Sequence, residues 1–275
     1  SPVAHAAYHD LLRALKDDEV GDLRGTPTRL VRGGKSYWYD SWRVGSQVRK
    51  RYLGEDSPAL RDRIAAHEVL AKSAPSRRAS RSRLVAILRA EGFAGVDAGT
   101  GSLLAAFARS QVFGLGGALI STQAFRLYEG ELGIRIGIDA AAQTRDIDIA
   151  SFERLSLALS LDDAADPPLA RVLGDFDFEP VPALDGASVW KWRQTRSDVL
   201  VEFLTPSFSD EEGVRPLPAL GVSAQSLHHL NYLIADPIEA VATYRSGVLL
   251  RIPRPERFAI HKLIVADRRR GGPDA

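Results

Sequence analysis

The run Thr144-Arg145-Asp146-Ile147-Asp148-Ile149-Ala150 constrains this chain more than any other. In an extended strand, alternate side chains share a face. Asp146 and Asp148 therefore point one way, while Ile147 and Ile149 point into a core. Two carboxylates one strand repeat apart repel each other. On an apolar strand, ionising both is costly unless a cation neutralises them. Mg²⁺ takes carboxylate oxygens together with substrate phosphates, and paired ions of this kind activate a hydroxyl and stabilise a departing pyrophosphate. The plain alternative is a solvated pair on an edge strand.

Neighbouring text favours the metal reading. Upstream, Val112–Leu115 reads as a short strand ending in Gly116-Gly117, and Ala118–Tyr128 as the helix that follows. Glycines at such a junction let backbone amides approach a phosphate, and the helix N-terminus adds partial positive charge. Ser121 and Thr122, one turn later, add hydroxyl donors. Downstream, Val199–Leu204 is a second alternating strand that carries Glu202 between Val201 and Phe203. A lone acid in apolar text calls for a partner. Glu202 is thus the candidate third carboxylate, able to accept a proton from an attacking hydroxyl, and Asp198 is held in reserve.

The rest of the chain reads as an α+β protein. Helices are expected over residues 2–17, 57–73, 79–91, 227–233 and 255–269. Two or three antiparallel strands are expected between Thr28 and Leu53, where Val31, Tyr37, Tyr39, Trp42, Val44, Val48 and Tyr52 are punctuated by Gly33-Gly34 and Gly45. Gly92 and the Gly95–Gly101 stretch mark a boundary. Residues 1–92 would form a helical and β-hairpin accessory domain, and residues 93–275 the core. The chain has no cysteine, which excludes disulfides and thiolate zinc sites and fits a reducing cytoplasm. It has neither a long apolar run nor a leader-like N-terminus, so neither a membrane span nor a signal peptide is expected.

As a set, several motifs resemble the DNA polymerase β-like nucleotidyltransferase superfamily. They are Tyr37-Trp38-Tyr39, Arg51-Tyr52-Leu53-Gly54, Gly116-Gly117 with Ala124-Phe125, Thr144 to Asp148, Phe203-Leu204-Thr205-Pro206, and Arg257 to Leu263. More narrowly, they resemble a bacterial branch with a Tyr/Trp-rich hairpin ahead of the core. The resemblance implies transfer of a nucleoside monophosphate from a nucleoside triphosphate to an acceptor hydroxyl. It also implies Mg²⁺ or Mn²⁺ on Asp146, Asp148 and Glu202, with Gly116 and Gly117 holding phosphates. In abortive-infection-type toxin relatives, a lysine on a late helix steadies the triphosphate, and Lys262 matches it. His261, beside it, is either a base or structural. Arg268 to Arg270 read equally as a basic helix end. Two departures stand out: the third acid is Glu rather than the commoner Asp, and an insertion around Gly130–Ala142 lengthens the spacing.

Net charge is only +1, but cations crowd the early part of the chain. Arg29, Arg32, Lys35, Arg43, Arg49, Lys50 and Arg51 interleave with Tyr37, Trp38, Tyr39, Trp42 and Tyr52. Such a ribbon can dock RNA or DNA through phosphate contacts and base stacking. It can equally be a small sheet with an aromatic core and a wet arginine face. Two functions follow: an active transferase acting on an RNA end, a protein or a small molecule, with a toxin role among the options; or an inactive transferase fold that serves as a nucleic-acid-binding module.

Overall fold

A computed structural model describes residues 1–19, 23, 25–44, 47–136, 146–153, 164–183 and 188–270. Thr144, Arg145, Gly45 and the part of the expected insertion from residue 137 onward lie outside the described residues, as do the side chains of Trp42, Arg43 and Arg49. The architecture is α+β, as the alternation of periods requires.

The chain opens with α1 (Pro2–Glu19) and a three-stranded antiparallel sheet, β1 (Thr26–Arg32), β2 (Lys35–Val44) and β3 (Gln47–Glu55). Helix α2 (Pro58–Ala90) follows as one continuous helix, where two helices were expected. Its start is built as the sequence indicates: Ser57 caps it by accepting from Leu60 N at 3.3 Å, and Pro58 stands where its missing N–H costs nothing. The apolar text of α2 sits at its two ends. Leu60 and Ile64 pack with Leu23, Trp38 and Leu53, whereas Val85 and Leu88 pack with α1. The polar middle, with Pro75 inside it, joins these two anchors and explains why the sequence divides into two helical segments.

Next come α3 (Ala98–Arg109), capped by Asp97, then β4 (Ala118–Ile120) and α4 (Ser121–Leu132). Residues 112–115 form a turn rather than a strand, and the expected helix begins three residues late because Ala118–Ile120 pairs with β5 (Ile147–Ala150). Gly117 is there for packing. A Cβ on it would stand 2.7 Å from the Val112 carbonyl oxygen, to which its own N–H donates at 2.9 Å.

The main sheet runs β4-β5-β8-β10-β9. Strand β8 (Leu200–Pro206) lies parallel to both β5 and β10 (Val222–Leu227), and β9 (Val214–Leu217) closes the edge. The hairpin of β6 (Phe178–Val181) and β7 (Lys191–Gln194) joins the first half of β8 from the side of β10. Leu227 ends β10, so the expected helix at 227–233 shortens to α6 (Leu230–Ile234). Helix α5 (Leu169–Asp175) packs below α3. A separate hairpin, β11 (Ile238–Ala242) and β12 (Val248–Ile252), precedes α7 (Pro255–Arg270).

The main core lies on the apolar face of this sheet, where Ile147, Ile149, Val201 and Phe203 meet Leu103, Leu104 and Phe107 of α3. Helix α1 buries Leu11 and Leu15 against Val85, Leu88, Val241 and Leu249, so its stripe is shared with α2 and with the β11–β12 hairpin. No helix among the described residues is long and apolar enough to cross a membrane.

Candidate active site

Strands β5 and β8 lie parallel with Asp148 opposite Glu202. Partners in such a register share a face. Their neighbours Ile147, Ile149, Val201 and Phe203 are fully buried on the other face. The alternation read from the sequence therefore brings these two acids side by side. Asp146 precedes β5. Its Oδ1 accepts from Leu200 N at 3.0 Å, which ties the entry of β5 to that of β8 and leaves the second oxygen for other work. Asp198 lies ahead of β8, outside the paired register.

Burial pushes the Asp148 carboxyl up to about 6, and the negative charges of Glu202 and Asp146 add to the rise. Two groups oppose it: the Ser121 hydroxyl, which donates to Asp148, and the Lys262 ammonium. Ser121 opens α4 with φ at 65°, a left-handed conformation that is costly for a residue with a side chain. It sits where β4 turns into α4, and Ile120 is the register partner of Asp148. Ser121 and Thr122 therefore lie at the helix start beside the acids. Gly116 and Gly117 lie at the opposite end of β4, whose Ala118 pairs with Ala150. The structure thus groups Asp146, Asp148, Glu202, Ser121 and Lys262, but not the two glycines.

The Lys262 charge acts on Asp148 from α7, which is fastened along its length. Phe258 stacks on Phe125 at 5.8 Å and meets Tyr128 edge-on at 5.5 Å. Arg257 donates to the Tyr232 carbonyl at 3.0 Å and lies over its ring at 5.0 Å. Arg268 sits 3.6 Å from Glu212, which also holds His228 at 2.8 Å. Lys262 lies over the Phe258 ring at 5.2 Å. His261 is half-buried. Burial, and then the Lys262 charge, pull its pKa below the usual value, so it is neutral at neutral pH.

One residue escaped sequence reasoning. Lys191 on β7 is the register partner of Glu202 and pairs with it at 2.8 Å. It also lies 4.9 Å above the Trp190 ring. The available signal was its alternation with buried Trp192, which turns Lys191 to the acid face. A cavity of about 520 Å³ opens beside it, lined by Trp190, Lys191, Val214 and Gln225 among others. Gln225 pairs with Leu204, two residues beyond Glu202, so this cavity opens on the acid face.

Among the described residues, no three acids or histidines are closed into a ready metal cage. The donor set nevertheless suits a divalent cation. Asp148 and Glu202 stand side by side, Asp148 is raised by burial and then by the charges of Glu202 and Asp146, and Lys191 already pairs with Glu202.

In the N-terminal sheet, Trp38 belongs to the small core, and its Nε1 donates to Asp56 at 2.8 Å. Tyr37, Tyr39 and Tyr52 form a ring ladder, with centroids 6.2 and 5.5 Å apart, and Tyr52 is exposed. Several cations are already paired: Lys35 with Glu55 at 3.1 Å, Arg29 with Asp56 at 3.6 Å, and Arg51 with buried Asp40 at 3.5 Å.

The architecture is an α+β sheet that presents acids from two neighbouring strands beside a helix start. A family model described as Nucleotidyltransferase matches residues 98–275, more than half of the chain, and the chain belongs to that family. It is a nucleotidyltransferase, and a nucleoside triphosphate is the substrate its family implies. A second model, Domain of unknown function (DUF6788), matches residues 8–62. No curated protein and no solved structure matches the chain.

Proposed function

We propose that the chain transfers a nucleoside monophosphate from a nucleoside triphosphate to an RNA hydroxyl, with Mg²⁺ or Mn²⁺ held by Asp146, Asp148 and Glu202. One observation carries the reading: Asp148 and Glu202 are register partners, and Ser121 and Lys262 converge on Asp148 from two other elements. When bound, the cation supplies positive charge for the donor phosphates and the departing pyrophosphate.

The chain's own groups do the rest. The first turn of α4, with Ser121 and Thr122, offers N–H and hydroxyl donors to the triphosphate. Lys262 adds a positive charge from α7. Trp190 gives the donor base an apolar wall in the cavity beside Lys191. Glu202 takes the proton as the acceptor oxygen bonds to the α-phosphorus and the bond to the β-phosphate oxygen breaks. Gly116 and Gly117 shape the turn that leads into β4. The tyrosine ladder of the N-terminal sheet, with Arg32 and Lys50 near it, supports RNA as acceptor, because stacking and phosphate contacts suit a single strand. A triphosphate donor and the lack of cysteine support a cytoplasmic setting. Modification of an essential RNA would make the chain a toxin when unopposed, and growth arrest on expression, relieved by Asp148→Asn, would reveal it.

The test is direct. The protein is incubated with α-labelled nucleoside triphosphates, Mg²⁺ or Mn²⁺, and total RNA. Label moves to RNA, and Asp148→Asn lowers the rate by about a hundredfold or more. Label on protein or a small molecule instead would overturn the acceptor. No transfer with any acceptor would overturn the reading.

A further inference from the structure

We infer that the arginine-lined cavity between α2, α3 and the β11–β12 turn binds a ligand with clustered phosphate groups. The cavity measures about 370 Å³, and its lining includes Arg78, Arg81, Arg109 and Arg245 together with Ser102 and Tyr244. That volume lies in the range of small-ligand pockets.

Four guanidiniums meet there from three elements. Arg78 and Arg81 stand three residues apart on α2 and so share a face. Arg109 is the last residue of α3, and Arg245 lies in the turn after β11. Among the described residues, Asp18 is the one carboxylate paired with any of the four. It contacts Arg81 and is shared with Arg77 at 2.6 Å. Positive charge therefore exceeds its local compensation. Arginine forks suit phosphate oxygens better than lone carboxylates suit four arginines.

The walls are built for the purpose of holding this arrangement in place. Tyr244 lies so close to α3 that a Cβ on Gly101 would stand 2.4 Å from its ring. Its hydroxyl meets the Ser102 Oγ at 2.6 Å. Arg245 lies over that ring at 5.2 Å, with its own φ at 51°. Arg81 is largely buried and donates to the Ser246 carbonyl at 3.3 Å. The cavity is also separate from the acids. Phe176 lines it and lines a smaller cavity with Ile147 and Val199, and Ile147 points to the face opposite Asp148. The inference therefore stands without the proposed reaction.

Two sources offer this chemistry: a free polyphosphorylated small molecule and the backbone of an RNA. The chain is titrated in EDTA with inorganic tripolyphosphate by calorimetry, and with a labelled single-stranded RNA decamer by anisotropy. The variants are Arg109→Ala/Arg245→Ala, whose side chains are exposed, and Arg83→Ala, an exposed arginine of α2 outside the cavity, as the control. The wild type binds tripolyphosphate, the double variant binds it about tenfold more weakly, and Arg83→Ala binds as the wild type does. RNA binding that falls by the same factor and is displaced by tripolyphosphate identifies a nucleic-acid backbone. Tripolyphosphate binding without RNA binding identifies a small ligand. If neither probe binds the wild type, or the double variant binds as tightly as the wild type, the inference is overturned.

Discussion

Tyr8 packs so closely on Gly130 that a Cβ at the glycine would stand 2.2 Å from the tyrosine ring. The Tyr8 hydroxyl also accepts from Val241 N at 3.4 Å, and burial pushes its pKa well above the usual value. One side chain of α1 thereby clamps α4 and β11 together.

Gly130→Ala must displace that ring. It is expected to lower stability by about 2 kcal/mol, the usual cost of overpacking a tight contact. Tyr8→Phe keeps the ring and loses only the hydroxyl, so its cost is about 1 kcal/mol. Urea denaturation of both variants checks the order. Equal stability of Gly130→Ala and wild type would show that α1 is not seated there.

Asp148 supplies a pH test. Its folded-state pKa of about 6 lies above the ordinary 3.8, so the native chain binds this proton more tightly than the unfolded chain. Ionisation therefore weakens folding as pH rises from about 4 to about 6. Without metal, Asp148→Asn should be more stable than wild type at pH 8 by up to about 3 kcal/mol. The difference should close below about pH 4. Denaturation midpoints at pH 4 and 8, in EDTA, provide the comparison, and a gap that is constant with pH would contradict the assignment.

Lys191 pairs with Glu202 and so stands where the proposed cation would bind. Lys191→Ala should tighten Mn²⁺ binding several-fold, because a positive charge 2.8 Å from that carboxylate is removed. Calorimetry with Mn²⁺ measures it. Weaker binding in the variant would mean that the lysine does not occupy the cation's place.

Lys262 should act on the donor rather than on the fold. It is held by the Phe258 ring and by the acids' field, and it takes no part in the main core. Lys262→Ala is expected to raise KM for the triphosphate about tenfold, with an unchanged melting temperature. A change in kcat alone would assign it elsewhere.

The shared face of Asp148 and Glu202 was legible because strand alternation is a local signal. Ile147 and Ile149 fix the face of Asp146 and Asp148, as Val201 and Phe203 fix that of Glu202. Lys262 came from the family resemblance, and its seat depends on Phe258, Arg257 and Arg268, which the sequence does not link. The register of β7 against β8 is a tertiary fact, so Lys191 stayed hidden. Strand β4 has only three residues, too few to show a period, and its glycines drew the helix start toward Gly116-Gly117 instead of Ser121. In α2 the apolar ends answer to different partners, so one helix reads as two.

The seat of α1 has a consequence for how the chain emerges from a ribosome. Its apolar stripe, Leu11 and Leu15, is covered in part by Val241 and Leu249, which are synthesised more than two hundred residues later. Until then this surface has no final shelter. Completion of the last hairpin thus becomes the step that ends its exposure to aggregation or to a chaperone.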